Sequence, residues 1–178
     1  RSAWINADDF YHPWTLATVQ RVLAEHRDVH WITGIPAWYF EETGVSMVAT
    51  SAQVYPRSWI RRGWFTKNRL GVLQQESMFW RRWLWERSAP EDILRQYRYA
   101  AEFHLWKRFA EHAELRTVAA VLACFTISSS QISRKFAEAY ARECGLADAG
   151  ERRPWAGRIA LRLWSQCRLG RVIRPVAH

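Results

Sequence analysis

Asp8 and Asp9 close the run Trp4-Ile5-Asn6-Ala7-Asp8-Asp9. Its apolar start reads as a short strand and its end as a polar corner. Adjacent carboxylates at the end of a strand in an α/β sheet are placed to hold a divalent ion, magnesium or manganese, through hard oxygen ligands. The competing reading is that one of the pair caps the helix that begins after Pro13. Glu76 lies in Gln74-Gln75-Glu76-Ser77, where neighbouring side chains can hydrogen-bond a polyhydroxylated ligand. A solvated strand-to-helix corner would explain the same residues. Glu102 stands among small and apolar neighbours in Tyr99-Ala100-Ala101-Glu102-Phe103-His104-Leu105-Trp106. Such surroundings raise a carboxylate toward the basicity that a general base uses at neutral pH. An exposed helical glutamate paired with Arg98 or Lys107 is the alternative.

Other chemistry is less well provided for. His26 and His30 are four residues apart but straddle a break, and read as surface histidines. There is no Gly-x-Ser-x-Gly, no Gly-rich phosphate loop and no His-Glu-x-x-His, which removes the hydrolase, P-loop and zinc-protease readings. Cys124, Cys144 and Cys167 are an odd set without Cys-x-x-Cys spacing, against both a disulfide framework and a zinc knuckle.

The elements that must position the carboxylates follow from periodicity. After Pro13, Leu16, Val19, Val22 and Leu23 recur at helical spacing up to His26. Val29 to Phe40 and Val45 to Tyr55 are rich in β-branched and aromatic residues and predict strands. Pro56 to Asn68 is a short basic, aromatic helix or loop. Gln74 to Trp85 runs from a strand end into a helix, and Pro90 starts another, periodic from Ile93 to Ala113. Leu115 to Ile127 predicts a buried strand, and Ser128 to Ser130 the cap of a helix that ends at Glu143 and Gly145. Gly150 to Pro154 is a polar linker, followed by a basic amphipathic helix with Trp155, Ile159, Leu163 and Trp164. The chain divides at 147, into an α/β body (1–147) and a basic tail (148–178).

At 49% hydrophobic, 178 residues suffice for one domain with a core. No run of about 18 apolar residues is available to span a bilayer, and no signal-peptide pattern opens the chain. A cytoplasmic protein is the expectation. The net charge of +9 is carried almost wholly by arginine, and seven arginines lie beyond residue 147 against Asp148 and Glu151. A basic tail with tryptophans suits the surface of an anionic membrane, or simply packs on the body. Twelve tryptophans with this charge also suit a nucleic-acid-binding module. Against that, the charge is split between two segments and no RNP-like or helix-turn-helix pattern occurs, so nucleic acid is not the expected partner.

Taken in order, Trp4 to Glu143 resembles the family 2 glycosyltransferases of bacteria. Trp4 to Asp9 followed by Pro13 looks like the family's metal- and diphosphate-binding strand end, and Trp31-Ile32-Thr33-Gly34 like its next strand. Leu73-Gln74-Gln75-Glu76-Ser77-Met78-Phe79-Trp80-Arg81-Arg82 is close to a Gln-Glu-Ser-x-Phe-Trp-Arg-Arg signature of one branch. Ala100 to Phe109 looks like that branch's Leu-Trp-x-Arg helix, with Glu102 where the family has Asp. The resemblance implies a partial GT-A (Rossmann-like) sheet with flanking helices, in which the strands that hold the nucleotide base and ribose precede Trp4. It implies a nucleotide-sugar donor, a glycan or lipid-linked acceptor, and a manganese or magnesium ion held by Asp8 and Asp9. Glu102 is then the base, and Gln75, Glu76, Trp80 and Trp106 line the acceptor side, the rings offering faces for sugar stacking. Arg81 or Arg108 would pair with phosphate or remain solvated.

Overall fold

The computed structural model of the chain describes residues 2–66, 69–129, 136–145, 154–167 and 172–175. Among these the strands are β1 (Ser2–Ala3), β2 (Phe10–Tyr11), β3 (Trp31–Thr33), β4 (Ala37–Phe40), β5 (Val45–Val48), β6 (Phe79–Trp80), β7 (Leu115–Thr117) and β8 (Ala123–Ile127). The helices are α1 (Thr15–Glu25), α2 (Arg57–Arg61), α3 (Arg82–Arg87), α4 (Pro90–Gln96), α5 (Ala101–His112), α6 (Ala137–Glu143) and α7 (Pro154–Cys167), with a single 3-10 turn at Gln75–Ser77.

Side-chain alternation decides the layering. Trp31 and Ile32 on β3 are both fully buried but belong to different apolar clusters, and Trp80 and Phe79 on β6 divide in the same way. A strand that is apolar on both faces needs cover on both. Trp31 and Trp80 meet Leu105, Trp106 and Phe109 of α5, whereas Ile32 and Phe79 meet Val19, Val22 and Leu23 of α1. The result is an α/β fold. Its first sheet runs β1-β6-β3-β7, with only β3 and β7 parallel, and its second runs β2-β8-β4-β5, with only β4 and β8 parallel.

The long strands expected at 29–40 and 115–127 each break into two, one piece in each sheet. The breaks are matched: the Val118 N–H donates to the Thr33 carbonyl and the Ile35 N–H to that of Ala120, each at 2.8 Å. Pro36 has no N–H to continue a ladder, and at Gly34 an added Cβ would meet the Ala120 carbonyl oxygen at 2.8 Å. The strand expected at 45–55 is confined to Val45–Val48, an edge strand exposed at every residue. The helix expected over 93–113 is two helices, because Tyr97 is extended and the chain turns between Tyr97 and Ala100.

Helix α1 starts as expected after Pro13 and buries Val19, Val22 and Leu23, but Leu16 is 65% exposed. Helix α7 also forms as expected. Its Leu161 enters the cluster around Trp31 while Ile159 and Leu163 stay exposed. Past it, Ile173 bridges Val118 in parallel, so the described part of the tail is joined to the first sheet. Residues 150–153 of the expected linker and Ser130 of the expected cap lie outside the described residues. Among the described residues no helix is long and apolar enough to cross a membrane.

Candidate functional site

The turn from Asn6 to Asp9 is closed by the Asp9 N–H donating to the Asn6 carbonyl at 3.3 Å. The next two residues pair with β8, Phe10 opposite Cys124, which carries Asp9 to the end of that strand. There the Thr126 N–H donates to Asp9 Oδ1 at 2.9 Å, and Asn6 Nδ2 donates to Oδ2 at 3.1 Å. Gln75 Nε2 in turn donates to Asn6 Oδ1 at 3.1 Å, so the 3-10 turn is tied to the aspartate pair through Asn6. Gln74 fixes that turn from below: its amide exchanges two hydrogen bonds with the backbone of Ala37 on β4, at 3.1 and 3.0 Å. Ser77 adds a hydrogen bond to Thr33 at 2.8 Å.

Glu76 is therefore held beside Asp8 and Asp9, 68 and 67 residues away in sequence. It is 1% exposed, and its Oε1 has no hydrogen-bond partner. Burial pushes its carboxyl up to about 8; its own backbone N–H opposes the rise, and the charges of Asp9 and Asp8 add to it. Asp9 is raised too, first by burial and then by Asp8, against hydrogen bonds from Thr126 and Asn6. The charges that act on Glu76 and Asp9 among the described residues are those of other carboxylates. The Cys124 thiol, 3.5 Å from His12 Nε2, is pushed up by burial and by Glu76 and Asp9. The His12 ring stacks on Trp14 with centroids 4.7 Å apart.

Two alternatives fail here. Neither aspartate caps α1, whose N-cap is Trp14, with no side-chain capping bond. Glu76 is not at a solvated corner. Asn6 and His12 were not singled out by sequence, although Asn6 has the three-residue spacing to Asp9 that closes a turn.

Glu102 lies in a second acidic group. It is half-buried in the first turn of α5, and its charge neighbour is Glu143, whereas those of Glu76 are Asp9 and Asp8. Burial raises Glu102 to about 7; its own backbone N–H and a hydrogen bond with the Tyr140 hydroxyl oppose the rise, and Glu143 adds to it. A pairing with Arg98 or Lys107 is not formed. Glu143, at the end of α6, receives the N–H groups of Arg98, Tyr99 and Ala100 at 3.1, 2.8 and 2.8 Å, and so serves the open start of α5. His104 Nε2 closes the same joint on the Glu143 carbonyl oxygen at 2.9 Å. Burial works against the Glu143 charge, but the three N–H groups and His104 outweigh it and hold its carboxyl below the usual range.

Glu143→Ala is accordingly expected to cost about 1 kcal/mol at neutral pH, as loss of a helix cap does. A carboxyl lowered in the fold stabilises above its unfolded value and ceases to as pH falls through its folded value. Urea unfolding should therefore show a deficit at pH 7 that shrinks at pH 3.5.

Trp80 and Trp106 are 1% and 2% exposed. Their centroids lie 5.7 Å apart, and both rings meet Phe109 edge-on, at 5.3 and 5.4 Å. These rings fill the core and present no face to a sugar. Arg81 is equally structural: it donates to the carbonyls of Val29, Leu23 and His26 at 2.8, 2.6 and 3.2 Å, closing the end of α1. Arg108 makes an exposed 3.9 Å contact with Glu111.

For a divalent ion, the donor set at Asp8 and Asp9 is of the right kind, hard oxygens next to a buried carboxyl oxygen without a partner. Among the described residues no three His, Cys, Asp or Glu side chains surround one ion position. Magnesium-type sites accept this arrangement, with one or two carboxylates and the remaining positions filled by water and phosphate. No protein-family model matches the chain, and no curated protein matches it.

Proposed function

We propose that this chain is part of a sugar-transferring enzyme of the family 2, GT-A type, with Asp8, Asp9, Gln75 and Glu76 at its reaction centre. One observation carries the reading. The two segments that resemble the family's diphosphate-binding corner and its Gln-Glu-Ser signature come together through Asp9, Asn6 and Gln75.

In this reading Asp8 and Asp9 hold a manganese or magnesium ion, which when bound would offset the charge of a sugar-nucleotide diphosphate. Gln75 and Glu76 hold the acceptor, the unpartnered Oε1 of Glu76 meeting one of its hydroxyls. Glu102, with a carboxyl near neutrality, is the base that the resemblance implies for the proton of the attacking hydroxyl, although its own neighbours are Tyr140 and Glu143 and not the aspartate pair. The acceptor oxygen bonds to the anomeric carbon as the bond from that carbon to the diphosphate breaks, and the configuration inverts. The acceptor is a glycan or a lipid-linked sugar, and the exposed Ile159 and Leu163 of α7 suit a chain working at the inner surface of the cytoplasmic membrane.

Calorimetric titration of the full-length protein, with the strands implied before Trp4, against UDP-, GDP- and dTDP-sugars, with and without manganese, tests this. Manganese-dependent binding is expected, weakened about tenfold or more in Asp8→Ala, equivalent to ~1.4 kcal/mol or above. Asp8 is exposed and has no structural bond, so the variant keeps its fold. Absence of binding to every donor by the folded parent would overturn the proposal.

A further inference from the structure

Two basic, aromatic segments that lie about a hundred residues apart meet on the far side of α5's C-terminal end. A cavity of about 480 Å³ opens between α2, β7 and α7, lined by Arg57, Arg61 and Arg116, by Trp59 and Trp164, and by one carboxylate, Glu114. Three guanidinium groups against one carboxylate leave a concavity with an excess of positive charge. Arg57 is held rigidly, its Nε and Nη2 donating to the Ala110 and Glu111 carbonyls at 2.6 Å each, an arrangement that satisfies the end of α5. Arg61 and Arg116 enter none of the ion pairs among the described residues.

We propose that this cavity binds a phosphate or diphosphate group carried on an apolar or planar body. Guanidinium groups meet phosphate oxygens in charge-assisted bonds, often two at once, and the indoles of Trp59 and Trp164 supply the surface that the attached body needs. A concave wall of one charge sign also concentrates anions before contact. None of Asp8, Asp9, Glu76 and Glu102 lines this cavity, so the assignment is independent of sugar transfer.

The ligand has two sources, a free phosphate compound or a lipid headgroup, and the test separates them. Inorganic pyrophosphate is titrated calorimetrically into the chain, and the chain is floated with vesicles of phosphatidylcholine alone or with phosphatidic acid. The Arg61→Ala/Arg116→Ala double variant changes two side chains that hold no other element. Arg87→Ala/Arg95→Ala, on exposed positions of α3 and α4, removes the same charge elsewhere. Binding of pyrophosphate, phosphatidate vesicles or both is expected, weakened about tenfold in the first variant and little in the second. Pyrophosphate alone identifies a soluble ligand, and phosphatidate alone a lipid headgroup. Binding to neither, or equal loss in both variants, overturns the proposal.

Discussion

Glu76→Gln is expected to melt with the parent at pH 4 and on the order of 5–10 °C above it at pH 9, in the presence of a chelator. The direction follows from the burial that moves the Glu76 carboxyl from the ordinary 4.5 up to about 8. Below the ordinary value both folded and unfolded chains carry the proton, and the residue costs nothing. Between the two values the unfolded chain releases its proton while the fold retains it. Stability then falls by up to ~1.4 kcal/mol per pH unit. Above the folded value both are ionised, and the penalty is constant at a few kcal/mol. Glutamine keeps the shape and cannot ionise, so its melting temperature should not follow this slope. Manganese should narrow the gap at pH 9, because a cation held by Asp8 and Asp9 offsets the charge that acts on Glu76. Coincident melting curves at both pH values would show that Glu76 is not buried as described.

Trp80→Ala should abolish most of the stability. Truncating a buried tryptophan costs about 3–5 kcal/mol, against the roughly 5–15 kcal/mol that holds a domain together. Trp80 packs against Trp106, Phe109 and Trp85, with centroids 5.3 to 5.7 Å away. Trp80→Phe should cost distinctly less than the lost volume suggests, since the Trp80 indole N–H has no hydrogen-bond partner and its removal relieves a buried polar group. Urea unfolding of both variants, with near-ultraviolet circular dichroism as a check on packing, measures the difference. A stable Trp80→Ala protein that had lost only sugar binding would return this ring to the ligand side.

That contrast marks how far the residues could be read before the fold. The helical stretches of α1, of α4 with α5, and of α7 were legible because their apolar spacing acts locally, as do Pro13 ahead of α1 and Pro90 at the start of α4. The α/β class was legible for a similar reason. The break of each long strand was not, because Gly34 and Pro36 take effect only against Ala120, eighty-odd residues downstream. The kinship of Asp9 with Gln75 could be expected from resemblance, but the bridging role of Asn6 needed the turn to be seen. Trp80 and Trp106 carry the ambiguity inherent in aromatic rings, which serve cores and sugars with the same surface, and burial alone separates the two. Glu143 was missed altogether. It is an ordinary helical glutamate in sequence, and it acquires its place from a contact across more than forty residues with Arg98, Tyr99 and Ala100.

The parallel pairings carry a consequence for the order of assembly. Trp31 waits for Leu115 and Trp38 for Phe125, partners more than eighty residues further along the chain. Closing loops of that length is slow, and the cost in chain entropy comes before any contact rewards it. During synthesis, before β6 is made, the strand pair available among the described residues is the hairpin of β4 and β5, joined through Thr43 and Gly44. One of its edges, β4 with Trp38, Tyr39 and Phe40, is open until β8 arrives, and the other, β5 with Val45, Met47 and Val48 each about half exposed, is open in the finished fold as well. A nascent chain thus displays two apolar strand edges until residue 127 has emerged and the β5 edge thereafter, the condition in which strands pair with the wrong neighbour. Charge at Val45 or Met47 would shield that edge, and higher recovery on refolding is the gain to look for.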